Sequence, residues 1–154
     1  MRLVSACLAG CHCRYDHQAL PHERMILLVQ SGQALPICPE QLGGLPTPRL
    51  PAEIVGGDGD DVLDGRARVI NQAGADLTEQ FLAGAREALR LAQIAGATEA
   101  ILKERSPSCG STAIYDGSFS GAKRPGAGVT AALLRRHGIA VRSEESGETT
   151  PSIS

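Results

Sequence analysis

Five cysteines, Cys7, Cys11, Cys13, Cys38 and Cys109, are the side chains of this 154-residue sequence best suited to chemistry. An odd number of thiols argues against a disulfide framework. Cys7, Cys38 and Cys109 each stand where an apolar run breaks into Gly, Pro or Ser, as residues at element ends do, whereas free cysteines used as core hydrophobes sit inside elements. Converging thiolates can hold zinc, Cu(I) or an iron–sulfur cluster, or act as redox groups. The close spacings are Cys7-x₃-Cys11 and Cys11-x-Cys13. Neither is the paired C-x₂-C of structural zinc nor a ferredoxin spacing, so spacing alone leaves the metal open.

The polar company of these thiols suggests roles. Glu40 lies two residues after Cys38, Lys103 and Glu104 precede Ser106, Ser108 and Cys109, and Asp16 follows Arg14-Tyr15. Together they offer a carboxylate for proton transfer, a cation for developing negative charge and hydroxyls for orientation. Plainer uses stand beside these. Lys103-Glu104-Arg105 also fits a charged surface turn, Asp16 a helix cap, and Ser106 and Ser108 the satisfaction of backbone groups in a Pro-containing turn. No Ser-His-Asp order is present, and His12, His17, His22 and His137 read as surface residues.

The elements that must position these groups alternate. Residues 2–6, 34–38 and 99–103 are short apolar runs that read as buried strands, with further strands at 66–71 and 139–143. Helices are expected over 18–30, entered through Pro21 and stopped at Gly32, over a stripe from Phe81 to Ile94 opened by Asp76 or Thr78 and ended by Gly96, and over 131–136. Residues 41–59 are dense in Gly and Pro, which predicts an irregular, functional loop, and 60–64 a solvated acidic turn. Residues 113–119 fit a short strand or an extended loop. Gly121–Thr130 resembles an anion-binding loop opening a helix, without the P-loop or G-x-G-x-x-G order.

Strands alternating with helices predict a single α/β domain over 1–145, a largely parallel sheet flanked by helices in a Rossmann-like three-layer arrangement, with a frayed tail over 146–154. In such sheets ligands bind beyond the carboxyl ends of the strands. If the strands before Cys7, Cys38 and Cys109 are parallel neighbours, their thiols share one sheet edge.

Composition narrows the function classes. Formal charge is −2 and hydrophobic residues make up 42%. A dedicated nucleic-acid surface would be strongly basic, so no large nucleic-acid partner is expected. No apolar run reaches the roughly 18 residues of a membrane span, and the N-terminal residues lack a signal-peptide profile, which predicts the cytoplasm. Two Tyr, two Phe and no Trp make base stacking on aromatic platforms improbable unless those few are placed for it.

Longer motifs carry a specific likeness. They are Val4-Ser5-Ala6-Cys7-Leu8, Cys13-Arg14-Tyr15-Asp16, Cys38-Pro39-Glu40-Gln41-Leu42-Gly43-Gly44-Leu45-Pro46-Thr47-Pro48-Arg49, Leu102-Lys103-Glu104-Arg105-Ser106-Pro107-Ser108-Cys109-Gly110, Tyr115-Asp116-Gly117-Ser118-Phe119-Ser120-Gly121, and Pro125-Gly126-Ala127-Gly128-Val129-Thr130-Ala131-Ala132-Leu133-Leu134. Across residues 2–145 the chain resembles the small bacterial thiouracil desulfurase family. That resemblance implies a [4Fe-4S] cluster held by three cysteines with its fourth iron open. It also implies non-redox, hydrolytic removal of sulfur from a thiolated pyrimidine such as 2-thiouracil. The matching cysteines are Cys7, Cys13, Cys38 and Cys109. Cys7, Cys38 and Cys109 are the expected ligands because each ends a strand, and Cys13 is either a nearby non-ligand or a replacement for one of them. Glu40 is the expected acid/base, Ser106 and Ser108 position substrate or water, and Lys103 and Asp16 assist. Two departures stand out. His17 occupies a position where the family usually has Gly, and Cys11 is an extra thiol. The competing function is a non-catalytic metal-binding or sulfur-trafficking module; a thiol redox protein is a third.

Overall fold

The apolar runs become strands in the computed structural model, which describes residues 1–146. In chain order the elements are β1 (Arg2–Ser5), a 3₁₀ turn (Ala6–Ala9), α1 (Glu23–Gln30), β2 (Ala34–Ile37), α2 (Pro39–Leu42), β3 (Ala52–Val55), α3 (Gly59–Leu63), β4 (Arg68–Asn71), α4 (Thr78–Ala95), β5 (Glu99–Leu102), β6 (Ala113–Tyr115), β7 (Lys123–Pro125), α5 (Val129–Arg136) and β8 (Ala140–Ser143). β2, β1, β5 and β8 form, in that order, an all-parallel four-stranded sheet.

Alternation along the strands sends successive side chains to opposite faces. Leu3, Ala100 and Leu102 pack with Ala88 and Ala92 of α4 and Ala131 and Leu134 of α5. Val4 and Ile101 pack with Met25 and Leu28 of α1. Helices thus cover both faces, the three-layer arrangement expected. A third cluster, built on Ile54, Val69, Phe81, Ile114 and Val129, lies under two antiparallel ribbons, β3–β4 and β6–β7.

Several local expectations are corrected. Residues 41–59 are not wholly irregular: α2 extends to Leu42, and Ala52–Val55, beyond the last proline of the loop, pairs with β4. The acidic stretch 60–64 is largely helical because Asp58 and Asp61 form a reciprocal capping box at the start of α3. The first helix begins only at Glu23, and the stripe of α4 closes at Ala92, leaving Ile94 76% exposed. His22 is half-buried, not on the surface. Residues 123–125 form β7, and the N-terminal amides of α5 are already bonded. Gly128, Val129 and Thr130 donate to the carbonyls of Gly110, Pro107 and Ser108, so this helix start offers no open anion site. Glu144 and Glu145, the last residues before the predicted tail, are tied to Glu104, Lys103 and Arg105. Most of the predicted tail, 147–154, lies outside the described residues.

Candidate functional site

From β1 the chain first moves to β2 on one side and later returns to β5 on the other. β1 and β5 are therefore neighbours whose onward connections diverge, and this divergence opens a crevice at their carboxyl ends. Three chain segments carry cysteines into it. Cys7 sits in the 3₁₀ turn after β1, closed by Gly10 in the left-handed region at φ 99°. Cys38 is the single residue between β2 and α2, with Pro39 as the first helical residue. Cys109 lies in the loop after β5. Cys13 joins them from the loop after the 3₁₀ turn. All four line one cavity of about 610 Å³, whereas Cys11 is exposed and outside the lining.

Three of the thiols are pushed up by their surroundings. Cys38 donates to the Cys13 carbonyl at 3.8 Å. Its thiol is pushed far up, first by hydrogen bonding with the Cys13 thiol, then by burial and by the Glu40 carboxylate. Cys109, 4% exposed, is pushed up by burial and again by Glu40. At Cys13 the Cys38 thiol pulls downward, but the Cys7 thiol and burial outweigh it and lift the group to about 11. Buried thiols that resist ionisation this strongly become thiolates only beside a compensating positive charge.

Glu40, in the first turn of α2, is clamped by Arg49 at 2.9 Å, and the same guanidinium donates to the Cys13 carbonyl at 3.1 Å and to Pro46 and Thr47. Lys103 lines the cavity and donates through Nζ to the Glu104 carbonyl, 3.4 Å from Glu144. Ser106 also lines it. Its Oγ accepts from the amides of Ser108 and Cys109, leaving its own proton available. Ser108 and Asp16 do not line the cavity. Ser108 is buried and shares a 2.7 Å hydrogen bond with Thr130, locking the Cys109 loop to α5. Asp16 accepts from the Gln18 amide and pairs with Arg14. His17 holds φ 61°, a left-handed conformation that glycine adopts freely.

The sequence offered no role for Arg49 or Ser5, and Glu104, read there as a proton-transfer carboxylate or part of a charged surface turn, is buried rather than exposed on such a turn. Arg49 closed a quoted motif, and its partner Glu40 nine residues away was the signal. Glu104 is 4% exposed and accepts from the amides of Arg105, Ser111, Thr112 and Ala113 and the hydroxyls of Ser111 and Thr112, which makes it the staple of the Cys109 loop. Ser5 accepts from the Lys103 amide and hydrogen-bonds Cys109.

Among the described residues no three His, Cys, Asp or Glu side chains gather tightly enough to hold a single metal ion. A polynuclear cluster spreads its thiolates over several irons and accepts wider spacing.

Comparison with known proteins gives one consistent picture. A sequence model of the 2-thiouracil desulfurase family matches residues 3–146. The uncharacterized protein YbbK of Bacillus subtilis is 51% identical over 144 residues, covering 94% of this chain and 95% of that protein. The solved structure of the [4Fe-4S]-dependent thiouracil desulfidase TudS superposes with a TM-score of 0.81 at 47% identity, over 92% of this chain and 89% of that one.

Proposed function

Because this chain belongs to the 2-thiouracil desulfurase family, we propose that it removes sulfur from a thiolated pyrimidine by non-redox hydrolysis at a [4Fe-4S] cluster. The observation that supports this most is that Cys7, Cys13, Cys38 and Cys109 line one cavity together with the Glu40–Arg49 pair. The donor set fits such a group: soft thiols that line one cavity, of which Cys13, Cys38 and Cys109 are pushed up by neighbouring thiols, burial and Glu40. Cys7, Cys38 and Cys109 would hold it, since Cys7 and Cys38 stand within two residues of the ends of β1 and β2 and the loop after β5 brings Cys109, seven residues beyond its strand, to the same cavity, with Cys13 beside Cys38 as the remaining thiol. The chemistry such a cluster supplies, with one iron free of protein ligands, is Lewis-acid activation of a soft sulfur atom.

The chain's own residues do the rest. Glu40 takes a proton from the attacking water at its carboxylate and returns one to the ring. Arg49 fixes the direction of that carboxylate and couples it to the Cys13 loop. The Ser106 hydroxyl donates toward the substrate while its oxygen holds the Cys109 amide. Lys103 contributes positive charge at the same wall. Leu45, Leu77 and Phe81 give the cavity an apolar side that excludes water from the base.

Anaerobic purification tests this directly. Iron and acid-labile sulfide in equal amounts, colour lost in Cys38→Ser, and sulfide release from 2-thiouracil without an electron donor are expected. One zinc without iron, or an intact cluster that releases no sulfide, would overturn it and favour the trafficking module.

A further inference from the structure

The chain contains four aromatic side chains, Tyr15, Phe81, Tyr115 and Phe119, and no tryptophan. All four line the cavity that holds the cysteines. They come from four separate places: the Cys13 loop, α4, β6 and the tip joining β6 to β7. A fold with ample apolar residues for its core has therefore concentrated its π faces at one site.

The four are not equivalent. Phe81 is 3% exposed and belongs to the core. Tyr15 is 40% exposed, with the Arg14 guanidinium already over its ring at 5.6 Å. Tyr115 is fixed within the β6–β7 ribbon. Phe119 differs from all of these. It is half-buried on a loop tip, and its backbone sits in the left-handed region at φ 56°, which a bulky side chain rarely adopts. Strain of that kind persists only where neighbours impose it, and it gathers at ligand clamps.

Glu53 and β3 impose it. One carboxylate oxygen of Glu53, on β3, accepts from both the Phe119 amide (3.1 Å) and the Gly117 amide (2.9 Å). Gly117, at φ 93°, lies so close to β3 that a Cβ there would meet the Ile54 carbonyl at 2.6 Å. Asp116 accepts from the Ser118 amide and hydroxyl within the same tip. Glu53 itself lines the cavity.

We infer that Phe119 is the stacking face for the planar ring of the substrate, and that Glu53 is the positioning residue that holds it there by clamping the loop tip. The inference rests on a thiolated pyrimidine being the substrate. It adds what the thiols cannot supply: sulfur affinity orients one atom, whereas a stacked face fixes the plane of the ring and selects heteroaromatic thiocarbonyls over open-chain ones.

Two readouts on the anaerobically prepared holoenzyme test it: KM and kcat with 2-thiouracil, and equilibrium binding of uracil, which lacks the sulfur. Phe119→Leu is expected to raise KM and the uracil Kd by about 5- to 150-fold, the range for loss of one base–aromatic stack. kcat falls less than KM rises, and iron content is unchanged. Phe119→Tyr restores both constants. Glu53→Ala gives the same pattern as Phe119→Leu, the double variant adds little to either alone, and Glu53→Gln, which keeps the acceptor, stays near wild type. If Phe119→Leu fails to fold, Glu53→Ala and Phe119→Tyr carry the comparison. A uracil Kd within twofold of wild type in a folded Phe119→Leu or, failing that, in Glu53→Ala overturns the inference while leaving the desulfurase reading intact. A wild-type holoenzyme that neither turns over 2-thiouracil nor binds uracil overturns both.

Discussion

Glu40 and Arg49 show how much of this site depends on single contacts. Glu40 is held at 2.9 Å by a guanidinium whose side chain is only 8% exposed. Charge-assisted bonds of this kind are stronger than neutral ones, and the fork geometry of arginine lets one side chain serve several acceptors at once. Glu40→Gln keeps shape and removes the base. It is expected to lower kcat by about 10²- to 10⁴-fold, as loss of a general acid/base does, with iron and colour retained. Arg49→Lys places a point charge where a fork is needed and is expected to lose part of that activity, because one ammonium cannot serve Glu40, the Cys13 carbonyl and the 46–47 turn together. Steady-state kinetics alongside metal analysis checks both. The residue types here were legible in the sequence: cysteines at element ends and a carboxylate beside one of them. Arg49 drew no role because its contacts arise from a loop that folds back, and a Ser-Pro-Ser turn does not reveal that Ser106 lines the cavity while Ser108 bonds Thr130.

At the scale of elements, two packing contacts set where the site groups stand. Gly43, at the end of α2, and Gly84, within α4, bring two backbones together: a Cβ on Gly84 would lie 2.0 Å from the Pro39 carbonyl oxygen, and one on Gly43 equally close to that of Gln80. Gly84→Ala must push α2 away, and with it Cys38 and Glu40. A loss of about 3 kcal/mol in a denaturant titration is expected, accompanied by reduced iron occupancy. The second contact is the Glu104 staple. Burial raises this carboxylate's pKa, but hydrogen bonds led by those from the Thr112 and Ala113 amides pull it the other way, from 4.5 down to about 2. A folded-state pKa below the unfolded one stabilises the fold above about pH 4.5, and that contribution disappears as pH falls toward 2. Glu104→Gln is expected to destabilise by about 2–3 kcal/mol at neutral pH, with the gap to wild type narrowing in acid. Unfolding curves at pH 7 and pH 3 read this out. Periodicity had revealed the long helix and the sheet strands, whereas β3 and α3 were hidden by proline density and by a capping box that reads as mere charge.

For the whole molecule, the fold and the thiol site overlap only in part. The clusters on the two sheet faces include Cys7, Cys13 and Cys109 but rest mainly on Leu, Val, Ile and Ala packing between strands and helices, so the sheet is expected to form without a bound metal. Chelation or oxidative loss of the cluster is expected to remove the visible absorbance and lower Tm, because a ligand bound only by the native state stabilises it. The far-UV circular dichroism should remain. Collapse of that signal on metal loss would instead make the thiol site part of the folding core. Among the described residues no helix is long and apolar enough to cross a membrane.

The sequence by itself determined the class of fold and the family to which the chain belongs, and singled out the candidate thiols, because periodicity, cysteines beside element breaks and long motifs are local properties of the chain. The tertiary structure alone decided that four cysteines, Glu40 and Arg49 line one cavity, that the start of α5 is already satisfied by the Cys109 loop, and that the few aromatic residues line the same space. Those facts depend on strand order, and strand order is set by which faces can bury each other across the sheet, a global condition that no short window of sequence contains.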